Sequence, residues 1–404
     1  MTDCIKNEKE VRKKMKRTLS EDAEMTPIEN VDAPAPPPAS SSSPPSNVAA
    51  VATPAPAPAM TSVLHQRHII NYYDRKPVVE FLGHQDVVLS CAFSPCGTKV
   101  VSGSSHENIM YLGPTKSLFL WEAATGNLIG TPNENLGAIN DCKFTPGGER
   151  IVVCAEDSAV YLLDPNTCKE IAKMPTPGAG ASFSRLVPIC CACTQMEGCS
   201  EHNSLIAVGF NDHTTKLWPE VSLITKQDPI LVLKGQTGDI QCCRFTPNKK
   251  FILTGSADGS VWLWDVQTGQ SALAIKKAHE HGVMGLDYDR GISAMATCGA
   301  GDTTIMLWDL RTGTFGGTLV GSQDTVTSVE FNPNRAAGIL YSTSIDGVIR
   351  AWDFCTRTPI VVANLHADVI IGATMCCSCS TSGKKLATGT PTNHVAIWDT
   401  SDIY

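Results

Sequence analysis

The chain is 404 residues long and 42% hydrophobic, with 32 Lys and Arg against 40 Asp and Glu, a net charge of −8. That apolar content can bury a large core, while no stretch approaches the roughly 18 uninterrupted apolar residues of a membrane span. The negative balance excludes a main surface built to grip a phosphate backbone, which needs clustered Lys and Arg, and leaves association with nucleic acid through a partner open.

The opening segment MTDCIKNEKEVRKKMKRTLSEDAE is charged throughout and lacks the apolar core of an export signal, so a nuclear or cytoplasmic location is expected. The 17 cysteines, an odd number in a long chain, read as reduced thiols and not as a disulfide framework. Residues 1–60 carry no apolar periodicity, and their run VDAPAPPPASSSSPPSNVAAVATPAPAPAM is built from Pro, Ala and Ser. Such a segment buries too little to offset its ordering entropy, and a disordered tail is expected. Within it RKKMKR, Arg12 to Arg17, reads as a nuclear import signal, an electrostatic arm or a solvated stretch. Thr26, Ser43 and Thr53 each precede proline and are candidate phosphorylation positions.

Residues 61–404 form the second unit, and after Lys76 its texture changes to short β-branched and aromatic runs separated by Gly, Pro, Asn and Asp, the alternation of an all-β domain without helices. Seven segments each close on a hydrophobic strand, at Trp121, Leu163, Trp218, Trp264, Trp308, Trp352 and Trp398, with spacings of 42, 55, 46, 44, 44 and 46. Six of the seven tryptophans thus occupy one repeat position, at the roughly 40 to 45 residue period of a propeller blade. A second recurring element is an apolar strand ending in a Pro, Gly or Asn turn, in CAFSPCG, CKFTPGG, CRFTPNK and EFNPNRA. A third is an aspartate six residues before the closing position, at Asp157, Asp212, Asp258, Asp302 and Asp346, missing from the first and last units.

With Gly83-His84, these features resemble the WD-repeat proteins over about residues 76 to 404, which implies an all-β, seven-bladed WD-repeat β-propeller. The resemblance also implies a buried hydrogen-bonded set of Asp, His, Ser or Thr, and Trp in each blade. Here the set is uneven: His84 is matched by His279, by Gln236 and Ser322 in units four and six, and by His366 in unit seven. Since the last unit supplies only three strands, residues 76–83 are expected to close the ring as its fourth.

Function is read as a non-enzymatic interaction scaffold, a single propeller within a multiprotein complex, with a nuclear one in RNA processing or chromatin suggested by the basic cluster alone. Asp86, Asp239, His281, Asp324 and Asp368 fall at the starts of inner strands, on the narrow face around the channel. An acidic ring there favours Lys- or Arg-rich peptides of partner proteins, although Asp is also a routine turn residue. Asp302, Trp308, Asp309 and Arg311 resemble the DWD box of substrate receptors of cullin-RING ubiquitin ligases, in which Arg311 would pair with an adaptor's acidic groups. Cys190, Cys191, Cys193, Cys199 and His202 are a candidate zinc cluster. However, Cys191 falls at the strand position of Cys91, Cys142, Cys243 and Cys377, where a small buried thiol packs, and alternation sends Cys190 to the opposite face. No nucleophile elbow, P-loop, dinucleotide glycine motif or HExxH occurs, so neither catalysis nor a cofactor is expected.

Overall fold

The computed structural model describes residues 70–72, 76–105, 116–132, 136–175, 185–195, 204–289, 293–334, 338–354, 356–364 and 374–403. The tail 1–60, its basic cluster, and Asp368, His366, Cys199 and His202 lie outside the described residues.

The described strands form seven antiparallel sheets, each an up-and-down meander that we letter A to D from the channel outward. Blades 1 to 6 take their strands in chain order; their A strands are Val88–Phe93, Ile139–Phe144, Pro188–Gln195, Ile240–Phe245, Val283–Tyr288 and Val326–Phe331. Blade 7 takes A, B and C from Cys376–Cys379, Lys385–Gly389 and His394–Asp399, and strand D from Val79–Leu82 near the other end of the chain. That strand runs antiparallel to His394–Asp399, with Phe81 opposite Val395. Ile70–Tyr72 adds a fifth strand to blade 6, parallel to Thr358–Asn364, with Ile70 opposite Val361. Against the expectation of a chain without helices, one short turn of helix, Glu220–Ile224, follows strand C of blade 3.

The core is divided among the seams. Seven clusters of buried side chains each join two adjacent blades, such as Leu120 and Ile139 of blades 1 and 2, or Cys376 and Cys91 of blades 7 and 1. Inner strands are therefore covered on both faces and read as continuous apolar runs, as in IVVCA of blade 2, where all five residues are buried. Close approach of neighbouring blades also explains a glycine in strand B of four blades, at Gly103, Gly209, Gly255 and Gly389. A Cβ on Gly103 would lie 2.4 Å from Ile139, and one on Gly209 would lie 2.5 Å from Ile240.

Two local devices repeat around the ring. The A strands of blades 1 to 6 each carry a register shift after their first residue, at Val88/Ser90, Ile139/Asp141, Pro188/Cys190, Ile240/Cys242, Val283/Gly285 and Val326/Ser328, a bulge that re-aims the intervening side chain. In the same blades the backbone N–H of the B–C turn donates to the residue just before strand A, as Ser105 does to Val87 and Ile345 to Thr325, both at 2.8 Å. The B–C turns and the loops entering the A strands therefore share one end of the ring.

Candidate functional site

Inside the blades the polar set is complete in blade 5. Asp302 contacts His279 Nδ1 at 2.5 Å, His279 Nε2 meets Thr297 Oγ1 at 2.8 Å, and Trp308 Nε1 donates to that hydroxyl at 2.9 Å. Trp121, Trp264, Trp352 and Trp398 likewise donate to Ser102, Thr254, Ser342 and Thr388, at 2.8, 2.9, 2.8 and 3.0 Å. In blade 2 both partners have become apolar, with Leu163 where the tryptophan stands elsewhere and Val153 at the hydroxyl position. In blade 3 only one has: Trp218 stays, the hydroxyl position is Val208, and the indole N–H is buried with no partner among the described residues. Val208→Thr is expected to supply that acceptor and to raise the unfolding free energy by about 1 kcal/mol in a urea titration.

Aspartates at the B–C turns persist where the histidine does not, because another donor takes its place. In blade 6, Arg350 Nη2 reaches Asp346 Oδ2 at 2.8 Å. In blade 3 Lys216 reaches Asp212 at 3.2 Å, and in blade 2 Tyr161 and Lys173 both bond Asp157. Asp258 of blade 4 accepts from the backbone N–H of Thr237 at 2.6 Å. Tyr161, Lys216 and Arg350 each stand four residues after their aspartate, a spacing visible in the sequence.

His84 bonds Ser102 at 2.6 Å through Nε2, and burial pushes its pKa down to about 3. A histidine held neutral in the folded state and free to protonate near 6.5 when unfolded contributes stability that is fully present above pH 6.5. That stability is lost progressively as pH falls toward 3. Thermal unfolding at pH 5 should therefore show a loss of about 2 kcal/mol relative to pH 7 that His84→Gln removes.

The shared end of B–C turns and loops receives the predicted residues. Asp86 and Asp324 lie two residues before strand A of their blades and accept from the next backbone N–H at 2.8 and 2.6 Å, while Asp239 faces His213 of blade 3 at 3.5 Å. His281 is solvent-exposed beside the Gly301 turn. Between them stand two side chains that the sequence did not single out. Met284, the bulged residue of blade 5, is 38% exposed, and Ile345, in the B–C turn of blade 6, is 41% exposed. The other exposed large apolar side chains of the described residues, among them Leu82 and Val320, lie on or beside outer strands or on the short helix.

The channel wall is occupied by clasps between blades. Asp141 accepts the backbone N–H of Cys191 at 2.9 Å, Asp287 that of Phe331 at 2.7 Å, and Glu330 that of Cys379 at 3.1 Å, each in the next blade. Arg244 spans Asp287 and Glu330 at 3.6 and 3.4 Å beside a cavity of about 340 Å³. Burial pushes the Glu330 carboxyl up, against the opposing pull of Arg244.

Cys91, Cys142, Cys191, Cys243 and Cys377 do share one strand position, opposite Ser102, Val153, Val208, Thr254 and Thr388, and all five are buried. Cys190 packs at the seam with blade 4 and Cys191 at the seam with blade 2, on opposite faces of one strand. Among the described residues no group of three or more His, Cys, Asp and Glu is placed to hold a metal ion. Arg311, at the opposite end of the ring, is 73% exposed and pairs with Asp309 of its own turn at 3.1 Å. Asp309 also accepts the Arg311 backbone N–H, as Asp265 accepts that of Gln267, so the aspartate after the closing tryptophan orders the C–D turn.

The WD domain, G-beta repeat family matches residues 75–111, 227–265 and 313–353. Each match begins at or beside strand D of one blade and runs into the next, the offset that lets residues 79–82 close blade 7. Among curated proteins the chain is 26% identical to the WD repeat-containing protein AAC3 of Dictyostelium discoideum over 195 residues, 48% of this chain and 36% of that one. It is 25% identical to the nuclear distribution protein PAC1 of Arthroderma otae, covering 78% and 68% of the two chains. It is 26% identical to the guanine nucleotide-binding protein subunit beta of Arabidopsis thaliana, covering 65% and 69%. The chain therefore spans about a third of the first relative's length and about two thirds of the other two.

Proposed function

We propose that this chain, which belongs to the WD-repeat family of β-propellers, is a non-enzymatic scaffold that receives peptide segments of partner proteins at the end of the ring carrying its B–C turns. The supporting observation is the pair Met284 and Ile345, solvent-facing apolar side chains on adjacent blades at that end, with the carboxylates of Asp239 and Asp324 on blades 4 and 6. An apolar anchor flanked by acidic groups favours a segment that pairs an apolar residue with Lys or Arg. Relatives named for nuclear distribution and for a G-protein beta subunit fit a role in assemblies. We read the chain as one propeller within a larger complex. The Arg12–Arg17 cluster supports a nuclear one, in RNA processing or chromatin.

The test is affinity purification of the full chain from cells that express it, beside the Met284→Ser, Ile345→Ser double variant. Loss of one reproducible partner by about tenfold is expected. An unchanged partner set would move the docking surface elsewhere, and no reproducible partner at all would end the scaffold reading.

A second reading, as substrate receptor of a cullin-RING ubiquitin ligase, is supported by the exposure of Arg311, although an adaptor carboxylate would have to displace Asp309. It expects Arg311→Ala to abolish adaptor capture without shifting the melting temperature. Undiminished capture ends it.

A further inference from the structure

Around the channel, one contact repeats at the seams. The residue just before the strand position shared by Cys91, Cys142, Cys191, Cys243 and Cys377 faces that same position in the A strand of the next blade. Blade 1 to 2 places Ser90 Oγ 3.6 Å from Cys142 Sγ, and blade 6 to 7 places Ser328 Oγ 3.4 Å from Cys377 Sγ. At two seams both members are thiols: Cys190 and Cys243, 3.6 Å apart between blades 3 and 4, and Cys376 and Cys91, 3.5 Å apart between blades 7 and 1. The second seam differs from every other because its two blades are the first and last in the chain, 285 residues apart at this contact. Besides packing, it is held by the pairing of Val79–Leu82 with strand C of blade 7.

We infer that Cys91 and Cys376 are a redox modification site, an oxidisable pair that a peroxide converts into a disulfide stapling the closing seam of the ring. The geometry needs little change, since the sulfurs approach from 3.5 Å to the roughly 2.05 Å of a bond, between strands already packed side by side. One thiol attacks the peroxide, the O–O bond breaks, and a sulfenic acid and one water form. The second thiol then displaces the hydroxyl, which leaves as a second water with that thiol's proton. Two sulfurs lose one electron each, and the peroxide takes up both. In the closed ring both thiols are buried, and their mutual hydrogen bond together with burial pushes the Cys91 thiol far up, so it stays protonated and unreactive. Oxidation accordingly proceeds when the seam opens to solvent, and reclosure brings the sulfenic acid onto its partner. Cys377, the neighbour in sequence, faces blade 6 and does not compete.

The ring itself supplies the control. Cys376→Ser recreates the serine–cysteine contact already present at two other seams, so it folds and cannot form the bond. The full chain, reduced and then exposed to hydrogen peroxide, is digested without reduction and mapped by mass spectrometry, with thermal unfolding measured in parallel. A linked peptide pair containing Cys91 and Cys376 is expected, with a melting temperature raised by at least about 3 °C and restored by dithiothreitol. Cys376→Ser should melt like the reduced wild type with or without peroxide, and Cys190→Ser should keep the rise. Absence of the linked pair, an unchanged or lower melting temperature, persistence of the rise in Cys376→Ser, or its loss in Cys190→Ser would each overturn the inference.

Discussion

Deleting residues 1–83 is expected to abolish cooperative unfolding, whereas deleting residues 1–69 keeps it. The shorter deletion leaves every strand of the seven blades in place; the longer one removes strand D of blade 7. Lost with it is Phe81, which is fully buried, packs 5.2 Å from the Trp121 ring and shares a cluster with Val395 and Ile397. The edge of His394–Asp399 is then exposed as well, an unpaired strand that invites edge-to-edge association. Phe81→Ala isolates the packing contribution and should cost about 3–5 kcal/mol in urea unfolding. The checks are the heat-capacity peak in calorimetry and the elution volume in gel filtration: a sharp peak and monomeric elution for the chain lacking 1–83 would mean that the ring does not depend on this strand.

What could be read from the sequence was whatever repeats in bulk and period. Tryptophan is rare, so its recurrence at Trp121, Trp218, Trp264, Trp308, Trp352 and Trp398 marks strand C of six blades, and five cysteines in one register announced a packing position inside the ring. The closing strand was legible because three strands cannot complete a blade whose predecessors have four. Replacement donors escaped notice because Lys216 and Arg350 sit in strands whose alternation gives them no special status; only the turn folds them back onto Asp212 and Asp346. Met284 was missed for a similar reason. Its exposure arises from a two-against-one pairing at the head of the strand, a register event that composition does not encode.

Arg350→Met is expected to lower the unfolding free energy by about 3–5 kcal/mol, because it strands a carboxylate in the interior. The pair is nearly dry, with side-chain exposures of 6% and 10% at 2.8 Å, so solvent screening does little to soften the loss. Burial alone would push the Asp346 carboxyl up. Bonds from Arg350, Ser344 and the Gln323 backbone N–H more than reverse this, and its net pKa is lowered. A carboxyl depressed in the folded state contributes stability that is present above its unfolded pKa of about 3.9 and fades as pH falls through the folded value. The penalty of Arg350→Met should therefore be full at pH 7 and shrink on acidification toward pH 4, as the orphaned carboxyl, which burial pushes up, takes up a proton. Adding Asp346→Asn to the variant should recover much of the loss at pH 7 and flatten this pH dependence, since an amide carries no charge to strand. Equal stabilities for Arg350→Met and wild type at pH 7, or a penalty that grows with acid, would show that the arginine serves packing in blade 6 and not the replacement of its missing histidine.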